Sequence, residues 1–257
     1  MKVFSRIYLA FLLLLMYAPV VALIVFSFTP SRIFGKWMGF SLELYSDLLS
    51  GSNPQIINAL VTTILIMLAV VSISVVIGTT AAIGFHYNRR RLVRRSAYSM
   101  NTLSIATPDI VAAVALFTFY IFAGVSRGAF TVILSQSTVC VPFVFMCVLP
   151  ILQKMDSEMY EASADLGASL WMTLTRVILP QIKSGIVSGA LLSAVLSLDD
   201  FAVTLFSRSN DGFETLSTLI YTDARRGTLT PEFRPLYSII IAVMLVLLFF
   251  YQKRSKR

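Results

Sequence analysis

Apolar residues gather into six long runs, at about residues 7–28, 57–85, 97–122, 129–152, 184–206 and 236–251, with short polar segments between them. The first run, Ile7 to Phe28, carries no charged side chain. A helix needs roughly 20 apolar residues to cross the ~30 Å hydrocarbon layer of a bilayer. The second run is long enough to tilt or to project beyond the lipid. The pattern therefore predicts an all-α membrane protein: a single transmembrane domain, residues 1–257, of six helices.

Composition points the same way. The chain is 57% hydrophobic and only 13% charged, with a mean hydropathy of +0.80. Such a chain needs a membrane to hide in. Six spans nearly exhaust 257 residues, so any ATPase, ligand-capturing or enzymatic module is expected on another polypeptide. Lys2 and Arg6 precede the first run as in a secretory signal, but the run is too long and no A-x-A-like site follows. An uncleaved first span is expected.

The net charge of +8 changes the picture through its placement. Lys2, Arg6, Arg89, Arg90, Arg91, Arg94, Arg95, Lys154, Arg176, Lys183, Lys253, Arg254, Lys256 and Arg257 fall on one side of the six runs. Arg32, Lys36, Arg127, Arg208, Arg225, Arg226 and Arg234 fall on the other. The positive-inside rule puts the larger set in the cytoplasm. Both termini are then cytoplasmic, which requires an even number of spans, and six is even. Charges at span ends are a topology signal and not a nucleic-acid interface. The segments 29–55 and 207–235 and a tight turn near Gly124 to Gly128 lie outside. Trp37, Phe40, Tyr45, Phe213 and Phe233 there suit an interface belt, short surface helices or partner docking.

Candidate chemistry is sparse. Cys140 and Cys147 are two turns apart on one run, ~10 Å, too far for a disulfide. His86 ends a run beside Arg89 to Arg91, an interfacial setting. There is no G-x-x-x-x-G-K-[ST] loop and no Ser–His or Cys–His arrangement. No catalytic residue, metal ligand or cofactor is expected on this chain.

Acids inside the runs stand out. Asp109 lies in the third run, and Asp199 and Asp200 in the fifth. A charge at the bilayer centre costs ~2.5–3.5 kcal/mol even on permissive scales, so such residues face a bundle interior or a water-filled path. No basic residue inside a run neutralises them, and a cationic substrate would. Two alternatives stay open. Asp109 follows Pro108 and suits a cap on a helix restarting after a proline break. Asp199 and Asp200 point about 100° apart, so one of them suits a hinge or a bond to a neighbouring helix.

The cytoplasmic segment 153–184 has a helical pattern. Ser157 is a candidate N-cap, with Glu158 and Glu161 in the first turn, where the helix dipole favours acids. Gly167 is a natural stop, and a second short helix is expected from about Leu170 to Ile178, ending at Pro180. This suits a docking element or an ordinary structured loop.

The residues Glu161-Ala162-Ser163-Ala164-Asp165-Leu166-Gly167-Ala168, with Ile178-Leu179-Pro180 after them, resemble the EAA motif of ABC importer permeases. Ser163 stands where alanine is usual. Thr107-Pro108-Asp109-Ile110, Ser197-Leu198-Asp199-Asp200-Phe201, Leu219-Ile220-Tyr221 and Thr230-Pro231-Glu232 are similar to the spermidine/putrescine (PotC/PotI-like) subfamily. Phe233, Arg234 and Pro235 replace the small apolar residues usual there. The resemblance implies a type I importer permease of a bacterial cytoplasmic (inner) membrane. It implies that the EAA-like segment is a coupling helix in a cleft of a cytoplasmic ATPase. It also implies as partners a second, similar permease, two ATPase subunits that bind the ATP, and an extracytoplasmic binding protein meeting the 207–235 face. Gly78, Gly84, Gly185 and Gly189 suit close packing of the two permeases. The residues alone leave open a secondary cation transporter, an intramembrane scaffold or enzyme, and, for an importer, another substrate such as ferric iron.

Overall fold

The computed structural model describes residues 2–33, 35–88, 90–155, 159, 162–163, 165–209, 213–227 and 229–255. Among them all regular structure is helical. A helix satisfies every backbone polar group within itself, which is what the bilayer demands of an apolar segment. The chain divides into two compact units, Met1–Ile57 with Ile220–Arg257, and Asn58–Leu219.

In the first unit, α1 (Lys2–Ser27) packs with α11 (Phe233–Ser255), and α2 (Glu43–Ser50) also packs on α11. The segment after α1 is held by its aromatics. Phe28 stacks on Phe40 at 5.6 Å and on Tyr45 at 5.2 Å, and Trp37 meets Phe26 edge-on. Arg234 is buried and donates to the carbonyls of Ser31 and Arg32 at 2.8 and 3.1 Å. Phe233 is buried as well. Pro235 is buried too, so all three residues that depart from the subfamily pattern are parts of the unit's interior.

The second unit is built around α6 (Ala129–Lys154), whose sides are covered by neighbours. Against or near it lie α3 (Pro54–Tyr87), α4 (Arg91–Ala106), α5 (Asp109–Phe122), α7 (Leu170–Gln181), α8 (Lys183–Asp199), α9 (Ala202–Ser207) and the start of α10 (Leu216–Arg225). Val144, Phe145, Val148, Leu149 and Leu152 of α6 pack with Ala82, Ile178 and Ile182 into one core.

Close approach of α3 and α8 to α6 depends on glycine. A Cβ on Gly78 would lie 2.7 Å from Val144 Cβ, one on Gly189 3.0 Å from Val144 Cγ1, and one on Gly185 2.9 Å from the Cys147 carbonyl oxygen. These three glycines serve packing inside the chain rather than between subunits. A carbonyl cannot move aside as a side chain can. Gly185→Val is therefore expected to cost about 1–3 kcal/mol by overpacking, visible as a lower melting temperature in detergent.

Among the described residues two long helices, α3 and α6, are each apolar enough to cross a bilayer, and two bent pairs, α4–α5 and α7–α8, raise that to four if each is one span. The apolar stretches Phe11–Ser27 and Phe233–Val243 are shorter. Three expectations need correction. The run 97–122 is not one straight helix, because α4 and α5 meet at 108°. Thr107 precedes Pro108, whose ring pushes it to an extended ψ of 126° and breaks the helix. The fifth run breaks at Asp200–Phe201, between α8 and α9. Pro180 does not end its helix. Leu174–Ile178 is a π-helical turn, in which Leu179 N–H bonds the Leu174 carbonyl, and α7 runs on through Pro180 to Gln181. The π register shifts the ladder, so the missing proline N–H interrupts it without ending it.

Candidate functional site

The breaks in α4–α5 and α8–α9 meet at one cavity of about 280 Å³. Asp109, Asp199 and Asp200 all line it, with Gln136, Ser197 and Phe201 among the other lining residues. Among the described residues no lysine, arginine or histidine lines it. Residues ninety positions apart in sequence are thus brought together because two helices are interrupted at the same place.

The three carboxylates are held differently. Asp200 ends α8 and caps α9: its Oδ1 accepts from Val203 N at 3.1 Å, and its Oδ2 from Thr204 N at 2.8 Å. These are the free N–H groups at the start of a helix. Oδ2 also accepts from Thr204 Oγ1 and, at 3.0 Å, from Gln136 Nε2. Gln136 donates in addition to Thr204 Oγ1 at 2.7 Å and accepts from Ser197 Oγ at 2.6 Å. Ser217 Oγ closes the group on the Asp200 carbonyl at 2.7 Å. Both carboxylate oxygens of Asp200 are used, so Asp200 is a structural clamp between α6, α8 and α9.

Asp199 and Asp109 are exposed and make no hydrogen bond or ion pair among the described residues. The helix does restart at Asp109, but Pro108 occupies the cap position and Asp109 stands in the first turn. There its charge complements the helix dipole. These two carboxylates present negative charge to the cavity without an internal cation.

Gln136 and Thr204 were not singled out from sequence, and Ser197 entered only as part of a subfamily-like stretch. The signal was present in Ser135-Gln136-Ser137-Thr138, a polar patch in an otherwise apolar run. Nearby, Ser135 Oγ pairs with Tyr120 OH at 2.7 Å and accepts from Ser207 Oγ at 2.9 Å. Thr131 Oγ1 donates to the Ser207 carbonyl at 2.8 Å. A row of hydroxyls on α6 thus fixes α5 and α9 around the cavity. Tyr120 is spent in that row.

In the EAA-like segment, Glu161 and Ala164 lie outside the described residues, as do Ser157, Glu158 and Arg89. Ala162, Ser163 and Asp165 are helical. Leu166 N–H reaches the Ala162 carbonyl at 3.1 Å, and Ala168 N–H reaches that of Ser163 at 3.1 Å. The second bond is the long bond of a Schellman stop, which needs the left-handed φ of +74° that Gly167 supplies. Ser169 caps α7 by accepting from Met172 N–H at 3.3 Å. Ser163 is buried and its hydroxyl pairs with Thr173 Oγ1 at 3.1 Å. The serine that replaces alanine ties the two short helices together. On the outside, Leu166, Leu170 and Trp171 are 88%, 78% and 73% exposed. They form an apolar surface at the turn.

Comparison with known proteins gives the class. The family model described as "Binding-protein-dependent transport system inner membrane component" matches residues 74–252. The chain belongs to this family, and is a multi-pass inner-membrane transport subunit. It is 33% identical over 242 residues to the spermidine/putrescine transport system permease protein PotC of Haemophilus influenzae, covering 94% of this chain and 92% of that one. It is 28% identical to the putrescine transport system permease protein PotI of Escherichia coli, covering 89% and 82%. Among solved structures, a chain of a bacterial ABC transporter that imports alginate matches with a TM-score of 0.71 at 14% identity, covering 99% of this chain and 95% of that chain. A chain of the MetNI methionine ABC transporter matches at 0.59 and 18%, covering 77% and 92%. The fold is that of ABC importer permeases.

Proposed function

We propose that this chain forms half of the transmembrane pathway of an ATP-driven polyamine importer, with spermidine or putrescine as cargo. The observation that carries this reading is the cavity where Asp109, Asp199 and Asp200 converge with no basic residue among its described lining. Unneutralised carboxylates in a membrane call for a cation. Among the described residues no three carboxylate, histidine or cysteine side chains group closely enough to hold a metal ion. Acids spread around a cavity suit separated amines better than one point charge such as ferric iron. The relatives named for spermidine and putrescine support the same substrate class.

In this reading the chain is one domain of six spans with both termini in the cytoplasm. A second, similar permease supplies the other half of the path. Two ATPase subunits bind the ATP, and an extracytoplasmic binding protein delivers cargo to the 207–235 face. The EAA-like segment with Glu161, Ala162, Ser163, Ala164, Asp165, Gly167 and Ala168, followed by α7 with Pro180, docks on an ATPase. The exposed Leu166, Leu170 and Trp171 give that turn an apolar face to bury. ATP-driven closure of the ATPases pushes on this turn and rocks the helices between inward-open and outward-open states. The chain performs no covalent chemistry and needs no cofactor of its own.

The test is uptake of labelled spermidine and putrescine into vesicles holding the whole complex, with ATP supplied or withheld on the ATPase side. ATP-dependent uptake competed by unlabelled polyamine is expected. ATP-dependent uptake of a different cargo would sink the polyamine assignment alone. Uptake indifferent to ATP and to the ATPase would sink the importer mechanism.

A further inference from the structure

We propose that the crevice between α3, α4 and α6 binds an anionic phospholipid of the cytoplasmic leaflet. The crevice holds about 280 Å³, and Gly84, Phe85, Arg94, Met100, Asn101 and Phe145 line it. Its walls are largely apolar, and the Arg94 guanidinium and the Asn101 amide bring donors to it. The Arg94 guanidinium lies 5.5 Å from the centre of the Phe85 ring, and Phe85 in turn meets Phe145 edge-on at 5.3 Å. The Asn101 Nδ2 is buried and reaches no acceptor among the described residues. A buried donor without an acceptor is costly, and a ligand oxygen would relieve it.

Charge decides which ligand. Arg90, Arg91, Arg94 and Arg95 fall within six residues, and no Asp or Glu occurs between Asp47 and Asp109. None of the four forms an ion pair among the described residues. Arg91, Arg94 and Arg95 also stand at the start of α4, where cations oppose the helix dipole. Left alone this is a repulsive arrangement. A phosphate headgroup neutralises it, and basic pockets between membrane helices on the cytoplasmic side are suited to such headgroups. The hydrocarbon walls favour a lipid over a hydrated soluble anion. Gly84 leaves room for the chain, since a Cβ there meets nothing within 4 Å. The leaflet assignment rests on the topology proposed above.

The test uses the assembled importer in detergent, titrated with dioleoyl phosphatidylglycerol or dioleoyl phosphatidylcholine and read by native mass spectrometry. The wild-type complex is expected to retain the phosphatidylglycerol with a preference on the order of tenfold. Arg94→Gln is expected to lower that preference. Gly84→Val, which projects into the crevice from a position where a Cβ meets nothing within 4 Å, is expected to lower retention of the lipid itself. Arg127→Gln, an equal change in net charge elsewhere, is expected to leave retention unchanged. Equal retention of the two lipids, or wild-type retention by Gly84→Val, would overturn the site. Displacement of phosphatidylglycerol by millimolar inorganic phosphate would also overturn it in favour of a soluble anion. Failure to bind lipid because the partner permease covers the crevice would do so in favour of a protein interface. Labelling of a cysteine at Leu92→Cys from outside only would instead overturn the topology, and with it the leaflet, whatever the lipid preference.

Discussion

Asp199→Asn is expected to lower polyamine uptake at least about tenfold in a complex that assembles and melts as the wild type does, whereas Asp200→Asn is expected to lose stability first. The two residues are neighbours in sequence and equally acidic, but their surroundings separate them. Asp199 is exposed in the cavity and bonds to nothing among the described residues. Removing its charge therefore costs the fold little. It removes one charge-assisted contact to an ammonium, which is typically ~1.5–3 kcal/mol, or about tenfold or more in affinity. Asp200 accepts from Val203 N, Thr204 N, Thr204 Oγ1 and Gln136 Nε2. An asparagine in either orientation turns an NH₂ towards at least one of those donors. Each buried group left unpaired costs ~1–3 kcal/mol. The readouts are thermal unfolding of the purified complex and uptake per assembled complex. Wild-type uptake by both variants and by the double variant would refute a pathway role for either residue. Normal melting of Asp200→Asn would refute the clamp.

Leu166→Glu or Trp171→Glu is expected to abolish co-purification of the ATPase and reduce ATP-driven uptake to background, with the permease itself still folded. Both side chains are largely exposed, so neither substitution removes packing from the chain. The turn beneath them is independently fixed by the left-handed Gly167, the Ser169 cap and the Ser163–Thr173 hydroxyl pair. In a docked complex the same positions are covered. Burying an unpaired carboxylate there costs several kcal/mol, more than about a hundredfold in affinity. Quantitative co-purification from membranes, with detergent-stable permease as the control, measures this. Wild-type ATPase recovery with both variants would show that the exposed turn is not the docking face.

Much of this protein was legible from periodicity and composition. Long apolar runs leave a chain no other stable state than helix in lipid, so the all-helical class followed from the sequence. The Gly167 stop was a local matter of backbone sterics, readable because glycine acts through its own φ, whereas the break at Pro108 was legible only as one of two open readings within a run that otherwise reads as one span. The acids in the third and fifth runs were visible because charge in an apolar run is expensive wherever it points. The bend of 108° at Thr107–Pro108 was not readable, because a proline fixes that a helix breaks but not the angle at which it resumes. Nor was the passage of α7 through Pro180, which depends on a π turn accommodating the lost N–H. Gly78, Gly185 and Gly189 announced close packing without naming the partner, and only the folded chain assigned them to α6. The different fates of Asp199 and Asp200 were likewise undecidable in one dimension. The sequence by itself determined that this chain lives in a membrane, carries acid in its apolar runs and has a glycine-stopped helical turn between the fourth and fifth of them, since each of these follows from local residue chemistry. The tertiary structure alone decided that Gln136 and Thr204 consume Asp200 while Asp109 and Asp199 share an open cavity. Which donors reach a carboxylate is set by helices that meet only when the chain is folded.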